Sequence, residues 1–108
     1  MKIRTILILL LISATSLAQV RSQAQQFMQV MEQSMTSMNR KMGSASMNGN
    51  VDHDFAAMMI PHHDGAIEMA KAELSFGKDP VMRRMAQEIL VEQQSEIDAM
   101  NLWTNKHH

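Results

Sequence analysis

The residues best suited to chemistry crowd into one stretch, Met58-Met59-Ile60-Pro61-His62-His63-Asp64-Gly65-Ala66-Ile67-Glu68-Met69-Ala70. Two adjacent imidazoles sit there among thioethers. On a helix, residues three, four or seven apart share a face. Met58 lies four residues before His62, Met59 four before His63, and Met69 seven after His62. Imidazole suits copper, and thioether sulfur selects Cu(I). Neither donor adds negative charge, so a soft monovalent ion fits better than a hard divalent one. Cu(I) is the first candidate and Ag(I) the second, with ligands drawn from His62, His63, Met59, Met58 and Met69. Both histidines are expected on the broad apolar face of the helix, with Asp64 and Lys71 pointing outward.

Other candidate donors have plainer readings beside the functional one. Met28, Met31, Met35, Met38 and Met42 are spaced 3, 4, 3, 4. This is a helical seam that reads first as core, because Met fills irregular interiors well. Met35, Met38 and Met42 are second-rank ligand candidates at the bundle end. His53, between Asp52 and Asp54, reads as a solvated helix start before an added ligand. His107 and His108 read as an exposed terminal pair able to scavenge Cu(II) or Zn. Glu92, Glu96, Arg83 and Arg84 read as solvated flanks. Catalysis finds little support. There is no Cys nucleophile, no Ser/His/Asp arrangement stands out, and the Glu-x-x-His spacing of a carboxylate-bridged di-metal oxidase is absent. No catalytic residue and no organic cofactor are expected.

Three helices must position these groups. The first is expected over about 21–42, free of Pro and Gly, with Gly43 as its stop. Residues 43–52 read as a loop, with Asp52 capping the second helix over about 53–75. Pro61 cannot donate to the Ala57 carbonyl, so a kink is expected there, in a helix that continues because its periodicity resumes in phase. Asp79-Pro80 is a strong restart, an N-cap carboxylate followed by Pro at the first helical position. The third helix is expected over about 80–104. Its inner stripe reads as Met82, Met85, Ala86, Ile89, Leu90, Gln93, Ile97, Met100 and Trp103. No strand pattern is present.

Composition bounds the rest. A chain of 108 residues makes one small domain. A net charge of −1 gives no basic surface for nucleic acid. Lys2 and Arg4, the apolar run Ile6 to Ile12, and small residues at Ser16 and Ala18 follow the order of a secretory signal peptide. The run is too short to span a bilayer. Cleavage after Ala18 would leave a soluble chain in the periplasm or outside the cell, with no membrane association. A small exported domain commonly relies on disulfides, which a chain with no Cys lacks. It must instead use helix packing, a bound metal or a second copy. Thioether sulfur is also the soft donor that forms no disulfide in an oxidising compartment.

The motif Phe55-x-x-x-Met59-Ile60-Pro61-His62-His63-x-x-Ala66-Ile67-x-Met69-Ala70 resembles the signature of domain-of-unknown-function family 305. Ala86-x-x-Ile89-x-x-x-Gln93-x-x-Glu96-Ile97-x-x-Met100-x-x-Trp103 resembles that family's second segment. Together they cover about residues 52–103, most of the chain that cleavage after Ala18 would leave. The resemblance implies a ferritin-like helical bundle, exported or periplasmic. Copper-binding members of the CopM type further imply Met and His ligands among Met58, Met59, His62, His63 and Met69. Some relatives carry two helical hairpins, whereas this chain has one, preceded by a Met-rich helix.

The expectation is an all-α, ferritin-like antiparallel bundle of three long helices, closed by its first helix or by dimerisation. It divides into a signal peptide (1–18), a Met-rich helix and loop (19–50) and a helical hairpin (51–108). The expected function is sequestration or handover of Cu(I), with a metal donor or acceptor protein as partner. The alternative is a metal-free interaction or structural bundle that binds a partner through its Met-rich apolar face.

Overall fold

A computed structural model describes residues 2–107, with side chains described from Ala14 onward. It consists of three helices, α1 (Lys2–Gly43), α2 (Val51–Phe76) and α3 (Pro80–Lys106). Among the described residues there is no strand. The expectation of an all-α three-helix architecture holds. α1 is much longer than the 21–42 segment and runs without interruption into the stretch read as a signal. Side chains of the Ile6 to Ile12 run lie outside the described residues. Among the described residues, no helix is long and apolar enough to cross a membrane.

Local chemistry sets the element ends. α2 is capped by Asn50, not by Asp52 as expected. The Asn50 side chain accepts from the backbone N–H groups of Asp52 and His53 at 3.0 and 3.1 Å. Asp52 is two residues too late, because the helix already includes Val51. The loop before it is tied down by Asp54, which accepts from the N–H of Asn48 at 2.9 Å and of Gly49 at 3.1 Å. Gly49 has φ +87°, where glycine avoids the β-carbon clash. α3 starts as the sequence predicts, with Asp79 accepting from Val81 and Met82 N–H at 3.0 Å and Pro80 following. α2 passes through Pro61 unbroken.

The helices alternate in direction. Phe27 stacks edge-on against Phe76, whereas Met38 lies against Gly65, so α1 and α2 are antiparallel. Arg83 reaches Leu74 while Glu96 reaches His63, so α2 and α3 are antiparallel too. α2 is the central helix. It packs against both neighbours, and among the described residues the α1 and α3 backbones do not come together. The molecule measures 77 × 25 × 15 Å. The fold is a single layer of helices.

Two stripes of α2 account for its packing. Pro61, Gly65 and Ala72 are buried on the stripe toward α1. Ala56, Ile67 and Ala70 are buried on the stripe toward α3, where Ala86 and Ile97 complete the core. Small residues let the helix axes approach closely. A β-carbon on Gly65 would lie 2.6 Å from Met38 Sδ and 3.0 Å from Met38 Cβ. Among the described residues no large side chain is fully buried. Part of the expected α3 inner stripe is therefore not interior. Met82 and Met85 are 48% and 47% exposed, because α3 has a neighbour on one side only. The α1 Met seam is divided for the same reason. Met28 and Met35 are exposed, and Met31, Met38 and Met42 are half-buried.

Candidate metal centre

The two stripes separate the paired histidines. His63 belongs to the stripe that faces α3, and its side chain is only 13% exposed. His62, one residue further round, is exposed on the open flat side of α2. Their rings lie 6.1 Å apart at 60°. The expectation of two histidines on one buried face is thus corrected. An α3 neighbour on one flank of α2 covers one imidazole and not the other. Asp64 is also reassigned. Together with Ser37, Lys41 and Glu68 it lines the groove between α1 and α2, and it is half-buried rather than outward. Lys71 is exposed, as expected, and pairs with Glu68 at 2.9 Å.

His63 sits in a groove between α2 and α3 lined by Phe55, Met59, His63, Glu96, Ala99 and Met100. Its Nε2 is hydrogen-bonded to Glu96 Oε2. A carboxylate can only accept, so Nε2 carries a proton, and Nδ1 is the nitrogen that holds the lone pair whenever the ring is neutral. Nδ1 is buried and has no hydrogen-bond partner. A carboxylate behind the protonated nitrogen of an imidazole is the arrangement that orients a metal-ligating His and raises its basicity. Sulfur donors share the groove: Met59 comes from one turn before His63, and Met100 comes from α3. No three His, Cys, Asp or Glu side chains come together among the described residues. What gathers around His63 is one imidazole, one carboxylate and two thioethers.

The other predicted donors are dispersed. Met58 and Met69 are half-buried and share the His62 stripe rather than the His63 groove. His53 is half-buried, and its Nδ1 lies 3.1 Å from Asp54 Oδ1. Met38 fills the α1/α2 seam against Gly65, while Met35 and Met42 lie along the same helix. His107 caps α3, stacking on Trp103 with ring centroids 4.4 Å apart and donating from Nδ1 to the Trp103 carbonyl. His108 lies outside the described residues. Sequence reasoning missed Glu96 and Met100, which it placed on a solvated flank and in the α3 core. The available signal was their spacing. Glu96 and Met100 are four residues apart, so they present one helical face just as Met59 and His63 do.

The fold and groove define a small all-α helical protein with a mixed His/Met cluster between two antiparallel helices. The family model described as a domain of unknown function (DUF305) matches residues 9–104, and the chain belongs to that family. The chain is also similar to "Uncharacterized protein L153" of Acanthamoeba polyphaga mimivirus, with 42% identity over 50 residues. That match covers 46% of this chain and about a third, 33%, of the viral protein's length.

Proposed function

We propose that this protein is an exported copper-binding protein that holds Cu(I), and secondarily Ag(I), for sequestration or handover. The observation that carries the reading is His63, whose Nε2–H is engaged by Glu96 and whose Nδ1 is buried without a partner beside a Met-lined groove. A neutral nitrogen with Met59 and Met100 sulfur nearby offers soft, uncharged donors suited to a monovalent ion. Glu96 is 59% exposed and acts as the orienting group rather than as a ligand. The open groove suits transfer of the ion to a donor or acceptor protein. Export rests on Lys2, Arg4, the apolar run Ile6 to Ile12 and the small residues Ser16 and Ala18. The α1 residues that line a groove with α2 begin at Val20, so cleavage after Ala18 would spare that packing.

The test is an anaerobic Cu(I) titration of the full chain against a chromophoric competing chelator, alongside His63→Ala and the double variant Met59→Leu/Met100→Leu. Tight binding that falls tenfold or more in both is expected. Equal competition by all three proteins moves the site off the groove. No competition with the chelator by the wild-type chain rejects copper binding.

A further inference from the structure

One seam joins α1 to the rest of the fold, because among the described residues its backbone meets α2 and not α3. Met38 lies at that seam. A β-carbon on Gly65 would stand 2.6 Å from Met38 Sδ and 2.9 Å from its Cγ, so the sulfur rests directly on the Gly65 backbone with no space for a further atom between them. A cavity of about 40 Å³ adjoins the same contact, walled by Met38, Gly65 and the polar Ser34, Ser37, Asp64 and Glu68. Its volume exceeds the ~10–15 Å³ that a water needs, and Met38 is half-buried rather than sealed. A small polar oxidant can therefore reach a sulfur that holds two helices together. We propose that Met38 is a redox modification site, where hydrogen peroxide converts the thioether resting on Gly65 to the sulfoxide and so releases α1 from α2. The reaction needs no metal.

The step is an oxygen transfer. A lone pair on Sδ attacks one peroxide oxygen, the O–O bond breaks, an S–O bond forms, and the other oxygen leaves as water after a proton shift. The sulfur is oxidised and the peroxide reduced by the same electron pair. The product is polar and chiral, where the thioether was apolar and pliable. Seated on Gly65, it must either push the helices apart or swing its oxygen into the cavity by a changed rotamer. Both break the present fit of a close-packed contact. Position singles out Met38 among the thirteen methionines. Met28, Met35, Met82 and Met85 are 40–53% exposed, and an oxygen added there meets water. Because α1 has no second neighbour to hold it, the loss at Met38 falls on the attachment of α1. The expected response is local opening of that helix rather than unfolding of the whole chain.

The test treats the full chain with hydrogen peroxide in the presence of a chelator, which excludes copper-driven oxidation. Peptide mass mapping locates the sulfoxides, and amide exchange is followed along the helices. Exchange across residues 30–41 is expected to rise tenfold or more in proportion to Met38 sulfoxide, with a smaller rise in α3. Reduction by a pair of methionine sulfoxide reductases, one for each epimer, is expected to reverse it. Met38→Leu is expected to show no such rise at the same peroxide dose. Met31→Leu/Met42→Leu, which keeps Met38, is expected to show it in full, and this variant decides the matter if Met38→Leu loses helicity. Met38 left unoxidised while Met28 and Met35 convert overturns the assignment. Met38 sulfoxide with unchanged exchange in α1 overturns it too, as does an equal rise in a helical Met38→Leu or loss of the response in Met31→Leu/Met42→Leu. A rise of the same size in α3 overturns the release of α1, since it reports unfolding of the whole chain.

Discussion

Nε2 of His63 on α2 donates to Glu96 on α3, across 33 residues of sequence, and this one contact sets the chemistry of the groove. It fixes which nitrogen carries the proton, and so which one is left to bind. Glu96→Gln keeps the side-chain shape and removes the charge that orients the ring. Loss of such an outer partner typically costs 10–100-fold in metal affinity. The expected order in chelator competition is therefore His63→Ala weakest, Glu96→Gln about 10–100-fold below wild type, and His62→Ala close to wild type. Equal losses for His62→Ala and His63→Ala would show both imidazoles binding and would reject the groove as the sole site.

Gly65 of α2 lies directly against Met38 of α1. In an exposed helix, Gly→Ala would stabilise by about 1 kcal/mol through propensity alone. Here the added β-carbon would meet Met38 Sδ at 2.6 Å and Met38 Cβ at 3.0 Å. Overpacking of a tight contact costs about 1–3 kcal/mol. Gly65→Ala is expected to be net destabilising by about 1 kcal/mol, read as a lower midpoint in urea unfolding. Met38→Ala combined with Gly65→Ala is expected to recover part of the loss, as coupling between touching residues requires. Stabilisation by Gly65→Ala alone would mean that α1 does not sit at this distance.

Arg83 was read from the sequence as surface charge, yet it is half-buried and ties the hairpin turn together. Its Nη1 donates to the Leu74 carbonyl at 2.7 Å and the Gly77 carbonyl at 3.0 Å. These are carbonyls at the C-terminal end of α2, which the helix itself leaves without partners. Because Arg83 is only half-buried, the loss is set toward the low end for charged hydrogen bonds. Arg83→Met is expected to destabilise by about 1–2 kcal/mol and to speed amide exchange near Gly77. The neighbouring Arg84 makes a 3.7 Å contact with Glu88 on the surface, and Arg84→Met is expected to change stability by less than about 0.5 kcal/mol. Equal effects would remove the distinction.

The helices were legible because their signals are local. Asp79-Pro80 and Gly43 mark ends whatever the helices pack against, and the pattern beyond Pro61 resumes in phase. The cap of α2 was less certain in sequence because Asn48, Asn50, Asp52 and Asp54 all have capping side chains. The choice rests on loop geometry that composition does not encode. The site was half legible. Met59 and His63 share a face by spacing alone, but the partners Glu96 and Met100 depend on which flank of α2 receives α3. His62 and His63 differ by one position, and only that tertiary choice covers one and exposes the other. The exposure of Met28, Met35, Met82 and Met85 was hidden for a related reason. Periodicity identifies an apolar face without saying whether its own chain covers it.

Asp54 gives the fold a pH dependence of known sign. The N–H of Asn48, and after it the His53 side chain, hold the Asp54 carboxyl below the ordinary Asp value. A carboxylate whose folded value is depressed adds stability above its unfolded value and loses it as pH falls through the folded one. The wild-type chain is therefore expected to lose stability through the acidic carboxylate range more steeply than Asp54→Asn, whose side chain does not titrate. Other carboxylates contribute equally to both proteins, so the difference between the two Tm-against-pH curves isolates this group. The gap is expected to be widest near neutrality, with wild type above the variant, and to close at low pH. Amide exchange at Asn48 and Gly49 should rise over the same interval in wild type, since the carboxylate is their acceptor. Parallel curves with no closing gap would show that the loop holds its shape without the Asp54 charge.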